Sequence, residues 1–365
     1  MREYLRINGH GHLLPEPHQI PQFMKDRKIF WVDPDRRFMR QGSWSRPITD
    51  RSFFLKEKLE WMEKNNIHHE VVLNLSQLYC NGFDESTCRD VIRFQNDFNA
   101  SLQHWFPKKF TSGFVVQPKF IDQSLKEIER CVNDFGLKLM CLPTHYLNKD
   151  NEWLSVADDS VRPIFELANQ LSLAIEIHPY DGEKIISLKD KFWRFHLVWM
   201  CAQTADTYHM YTLLGFHEKY SNARVCFAHG NQYGHMSYGR RRQGFEGRPD
   251  LFADANHPDV ALKAKNIFND SIVHDPYALR LLVDRGGSHT IVAGLDDPYP
   301  LGEMETVADC YPGKVLDDAL KLNFLSFQEL KNIWYKNVLD WLYGDGNHEN
   351  FHERTQLNQL IHEND

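Results

Sequence analysis

His10 and His12 stand one residue apart in N-G-H-G-H-L-L-P, single histidines close E-I-H-P at His178 and F-A-H-G at His229, and G-L-D-D-P holds Asp296. Imidazole nitrogen and carboxylate oxygen are the donors that zinc and other borderline divalent cations accept, and three or four protein ligands with an open position mark a catalytic site. The open position holds water, whose pKa a divalent cation lowers toward neutrality. This reading makes His10, His12, His178 and Asp296 the ligands of one divalent cation, zinc in the first instance. His229 is then the acid/base group beside the water. The chain has 19 histidines, and most must be ordinary. His145, His196, His209, His235 and His274 lack corroborating neighbours and read as packing or surface residues.

Residues so far apart can meet only if the fold gathers them. Short apolar, β-branched runs alternate with segments of helical period, the pattern of βα units around a parallel sheet. The runs lie at Leu5–Asn8, His69–Leu75, Thr111–Val116, Leu137–Leu142, Leu173–Ile177, Arg224–Ala228, Ile267–Val273 and His289–Ala293. Eight such units make a (β/α)8 TIM barrel, in which every strand points its C-terminal end at one face. His10 and His12 share a strand face because side chains alternate. Between strands, Phe120–Phe135, Val161–Leu171, Tyr277–Asp284 and Leu325–Tyr343 carry apolar residues at helical intervals. Residues 16–52 read as a long loop insertion after the first strand, of the kind that covers a barrel mouth. Residues 230–260 read as a second irregular stretch. Residues 1–345 form one barrel domain in this reading, and the polar segment 346–365 a frayed tail.

Composition narrows the partners. A 365-residue chain with 42% hydrophobic residues buries a large core, and a net charge of −8 supplies no general field for nucleic acid or anionic lipid. A local cluster such as Arg240, Arg241 and Arg242 can still hold an anion, so a small acidic substrate fits. No long apolar run or secretory leader is evident, and a cytoplasmic location is expected. The seven cysteines are scattered without C-x-x-C spacing and read as free thiols.

H-x-H, H-P, C-F-A-H-G and G-x-D-x-P-x-P-L-G-E together resemble the amidohydrolase superfamily, and within it the branch of non-oxidative decarboxylases, from His10 to about Glu303. The resemblance implies an amidohydrolase-like barrel, one zinc on His10, His12, His178 and Asp296, catalysis by His229, and no organic cofactor. It further implies a homodimer in which Arg240, in a G-R block, crosses into the neighbour's site to hold a substrate carboxylate. Arg46, in Ser45-Arg46-Pro47-Ile48, and Trp193, in F-W-R-F-H-L-V-W-M, resemble the family's other substrate-binding positions. Two arginines suit a dicarboxylate, because guanidinium binds carboxylate bidentately. A decarboxylase of an aromatic hydroxy acid, a lactone or amide hydrolase, and a barrel without catalysis are the other readings. The chain departs from the family pattern at Asn8, where an acidic residue is usual, at Leu295 and Asp297 in G-L-D-D-P, at Asn231 and Gln232 after the strand-six histidine, and at Cys201-Ala202-Gln203-Thr204.

Overall fold

The computed structural model describes residues 4–179, 191–303 and 309–357. Eight strands form one sheet in sequential order: β1 (Ile7–Gly11), β2 (His69–Val72), β3 (Phe110–Val115), β4 (Leu139–Pro143), β5 (Ala174–His178), β6 (Arg224–Phe227), β7 (Ile267–Asp270) and β8 (Ile291–Val292). Every neighbouring pair runs parallel. The seam between β8 and β1 is closed by Gly9 N donating to Ala293 O at 2.7 Å and Asp296 N donating to His10 O at 2.8 Å. All eight expected strands are present.

β1 is displaced from its expected span and runs through His10 instead of ending at Asn8. Glycine makes this possible: a Cβ on Gly11 would sit 2.5 Å from the Glu70 carboxylate. β8 is shorter than expected, because Ser288–Thr290 forms a 3-10 turn ahead of it.

Helices cover the barrel. Leu55–Lys64 follows β1, Glu85–Trp105 follows β2, Ile121–Asn133 follows β3, Arg162–Gln170 follows β4 and Pro276–Gly286 follows β7. The 21-residue helix Glu85–Trp105 escapes a purely apolar reading because its buried stripe includes Gln95, Asn96 and Asn99. Two of these amides serve strand backbone: Asn96 exchanges two hydrogen bonds with Val115, and Asn99 donates to Gly113 O at 2.7 Å, while Gln95 donates to Leu78 O. Asp84 caps the helix by accepting from Thr87 N. The single helix expected over Leu325–Tyr343 is two, Phe327–Trp334 and Lys336–Tyr343, broken at Tyr335.

Three irregular segments prove ordered. Within 16–52, strands Trp31–Val32, Phe38–Gln41 and Trp44–Pro47 form an antiparallel sheet with Met39 fully buried. Residues 230–260 hold helices Gln232–Met236, Tyr238–Gly247 and Pro258–Ala261, whose glycines and arginines mask any apolar period. The tail does not fray at once: Glu349–Thr355 is a helix that buries Phe351, whose ring lies 5.0 Å from that of His69. Arg354 Nη1 donates to Phe110 O at 2.9 Å and ties the same helix to β3. All seven cysteines are free, five of them buried. Among the described residues no helix is long and apolar enough to cross a membrane.

A docked terminal helix has a stability consequence that a frayed one lacks. Phe351→Ala is expected to cost roughly 3–5 kcal/mol in chemical denaturation, the range for emptying a buried aromatic site. A loss below about 0.5 kcal/mol, the surface-residue range, would show the helix undocked.

Candidate metal centre

Five strand ends build the site. β1 supplies His10 within the strand and His12 just beyond it, and β5 ends on His178. His229 follows β6 and Asp296 follows β8, both with left-handed backbone (φ +55 and +50). That conformation costs a residue with a Cβ about 1–2 kcal/mol, and Asp270 at the end of β7 offsets it for His229. Its carboxylate accepts from His229 N at 2.9 Å and Gly230 N at 2.8 Å. Gly230 also has positive φ, and a Cβ there would lie 2.3 Å from Val273, which explains the glycine in F-A-H-G.

The four imidazoles converge, with ring centroids 5.2 Å apart for His10 and His12, 5.3 Å for His10 and His178, and 4.9 Å for His178 and His229. The outer nitrogens of three of them are committed. His12 Nδ1 donates to Leu73 O at 3.3 Å, His178 Nδ1 to Pro179 O at 2.8 Å, and His10 Nδ1 pairs with Asp270 at 2.8 Å. A carbonyl can only accept, so Nδ1 of His12 and His178 carries the proton and Nε2 is left as an electron-pair donor. His10 Nε2 is buried without a hydrogen-bond partner. Asp296 Oδ1 lies 3.2 Å from His12 Nε2 and 3.7 Å from His10 Nε2. The donor atoms of His10, His12 and Asp296 fall within 4.8 Å of one another, as do those of His10, His178 and His229. An orphaned buried nitrogen amid fixed nitrogen and oxygen donors fits a divalent cation.

Electrostatics agree. Burial pulls His12 and His178 below the ordinary imidazole value, and for His178 the neighbouring imidazoles add to it. Burial also lowers His229, so it is neutral near pH 7. Burial works against charge on His10 too, but the Asp270 hydrogen bond and the Asp270, Asp296 and Glu176 carboxylates prevail and push it up to about 9. A cation held there would displace that proton. Asp296, despite burial, is held well below the usual carboxylate range by His12 and the other imidazoles.

Above this floor opens a pocket lined by His12, His178, His229 and Asp296 and walled by Leu75, Trp193, Leu197, Met200, Ile272 and Tyr299. Arg46 reaches it from the inserted sheet, with its guanidinium 5.2 Å from the Tyr299 ring and 5.4 Å from Trp44, and Nη2 donating to His196 Nε2 at 2.6 Å. Trp193 stands half-exposed at the rim, 4.9 Å from the His196 ring. Arg240 is exposed on helix Tyr238–Gly247 and does not line the pocket of its own chain. His196 and His274, read from sequence as packing or surface residues, line it instead.

Sequence reasoning missed Asp270 and Glu176. Glu176 lies two residues before His178, on the same inward face, with Oε1 3.9 Å from His10 Nδ1; burial raises its carboxyl well above the usual range. Period-two alternation through E-I-H would have found it. The residue missing a charge, Asn8, donates to Glu70 Oε2 at 3.0 Å, so β2 supplies the carboxylate that β1 lacks. Asp297 turns away from the pocket toward the buried Lys58.

The fold and this cluster define the class: residues 7–337 match the Amidohydrolase family, and the chain belongs to it. More particularly, it is 26% identical to 2-amino-3-carboxymuconate-6-semialdehyde decarboxylase of Dictyostelium discoideum over 94% of this chain and 93% of that one. It is 23% identical to the protein of that name in Caenorhabditis elegans, over 94% and 95%. Among solved structures, 5-carboxyvanillate decarboxylase of Novosphingobium aromaticivorans, complexed with manganese and 4-hydroxy-3-methoxy-5-nitrobenzoic acid, superposes with a TM-score of 0.73 at 17% identity, covering 93% of this chain and 96% of that one.

Asp270 fixes the ring of His10 without facing the pocket, so Asp270→Asn is expected to weaken zinc binding by about 10–100-fold in a chelator competition, the usual effect of removing an outer partner. Unchanged affinity would show that Asp270 does not orient His10.

Proposed function

We propose that this chain is a zinc-dependent, non-oxidative decarboxylase of a small planar acid, with one cation per chain on His10, His12, His178 and Asp296. The observation that carries the reading is the orphaned His10 Nε2, set among His12, His178 and Asp296 on the floor of a pocket entered by Arg46. When bound, the cation supplies Lewis-acid activation of water at neutral pH. Loss of carbon dioxide leaves its bonding pair on carbon, a conjugated substrate spreads that pair, and a proton must then reach the carbon. His229, neutral and on the pocket side, takes up a proton at Nε2 and returns it. Arg46, braced against two aromatic faces, binds a carboxylate through its guanidinium, and Trp193 packs on the planar substrate. No organic cofactor is needed.

The substrate we propose is 2-amino-3-carboxymuconate-6-semialdehyde, converted to 2-aminomuconate-6-semialdehyde in tryptophan breakdown by the kynurenine route. The names of the two curated relatives support it. A second carboxylate then meets Arg240 from another copy, in a homodimer. Two observations favour a second reading, an aromatic hydroxy acid: Arg46 is the one arginine among the described residues lining the pocket, and the manganese-bound structural relative holds an aromatic acid.

The test generates the muconate semialdehyde enzymatically, adds zinc-loaded protein, and follows substrate absorbance together with carbon dioxide. Accelerated decay with stoichiometric carbon dioxide, lost in His229→Ala by about 100-fold or more while zinc is retained, is the expected result. Decay only at the spontaneous rate would remove this substrate and bring aromatic hydroxy acids forward. Turnover without carbon dioxide would indicate a hydrolase.

A further inference from the structure

Helix Leu55–Lys64 sends Lys58 into the seam between β1 and β8, where it is fully buried. A buried ammonium persists only when paired and hydrogen-bonded. Nζ lies 2.5 Å from Glu70 Oε1, contacts Asp297 Oδ2, and donates to His12 O at 3.2 Å. The other Asp297 oxygen faces Arg51 Nε at 3.2 Å. The other Glu70 oxygen accepts from Asn8, whose own Oδ1 accepts from His10 N at 3.1 Å and Leu295 N at 3.0 Å. Asp297 O in turn accepts from His12 N at 2.7 Å. Apart from the Arg51 contact, the arms of this cluster end on the backbone of His10 or His12, or of Leu295 and Asp297 on either side of Asp296.

We propose that Lys58 is a positioning residue for the metal centre: with Glu70 and Asp297 it clamps the His10–His12 strand to the Asp296 loop and sets the spacing of their donor atoms before a cation arrives. The inference rests on the metal reading above. Spacing fixed during folding spares the ordering cost when the ligand binds, so the clamp shows in affinity. A cluster kept only for stability would instead lower the Tm and leave Zn2+ affinity unchanged when neutralised, yet neutral side chains of similar volume commonly replace buried ion pairs without loss of stability.

The decisive variant is Lys58→Met/Glu70→Gln/Asp297→Asn, measured for the Tm of the metal-free protein, Zn2+ affinity by chelator competition, and the absorption bands of the Co2+ form. We expect a Tm at or above that of the unaltered chain, Zn2+ bound about 10–100-fold more weakly, and changed Co2+ bands. Unchanged Zn2+ affinity and Co2+ bands overturn the inference. If the triple variant does not fold, Asp297→Asn alone, which leaves Lys58 paired with Glu70, carries the same two outcomes. An unaltered chain that takes up no Zn2+ overturns the metal reading and the inference together; one that binds a single equivalent while the variant binds as tightly overturns the inference alone.

Discussion

The closing of the barrel between its first and last strands is the constraint on which the rest depends. His10 O accepts from Asp296 N at 2.8 Å, and Asp297 O accepts from His12 N at 2.7 Å. Three of the proposed ligands are therefore placed by the same backbone bonds that join residue 10 to residue 296. A parallel sheet closed this way leaves little freedom to its strand ends. The fold and the donor set are one arrangement.

Charge is distributed around that seam in two layers. On the inner side, Asp270 and Glu176 face the outer nitrogen of His10. On the far side, Lys58 faces Glu70 and Asp297. So many buried ionisable groups are costly unless each finds a partner. The cost makes sense where a multiply charged cation is to be held, since donors must be deprotonated and aimed before they bind.

Most of the fold was legible because a parallel barrel writes itself as apolar runs alternating with helical segments. The H-x-H pair was legible because strand side chains alternate, and His178, His229 and Asp296 because each stands beside an apolar run. Legibility failed where structure depends on partners remote in sequence. Asp270 looks like a polar strand end until His10 and the left-handed His229 turn are seen against it. Lys58 sits on a helix whose charged residues suggest solvent, yet it is fully buried. The inserted sheet over 31–47 lacks alternation because only Met39 of its strand residues is buried. His196 lines the pocket beside Trp193 and Arg46, the latter 150 positions away.

The most direct test of the central claim is anomalous diffraction at the zinc absorption edge from crystals of the zinc-loaded chain. The account requires one strong peak about 2.0–2.2 Å from Nε2 of His10, His12 and His178 and from an Asp296 oxygen, with His229 outside bonding distance. A peak seated instead among His10, Glu176 and Asp270, or one bonded to His229 in place of Asp296, would contradict it.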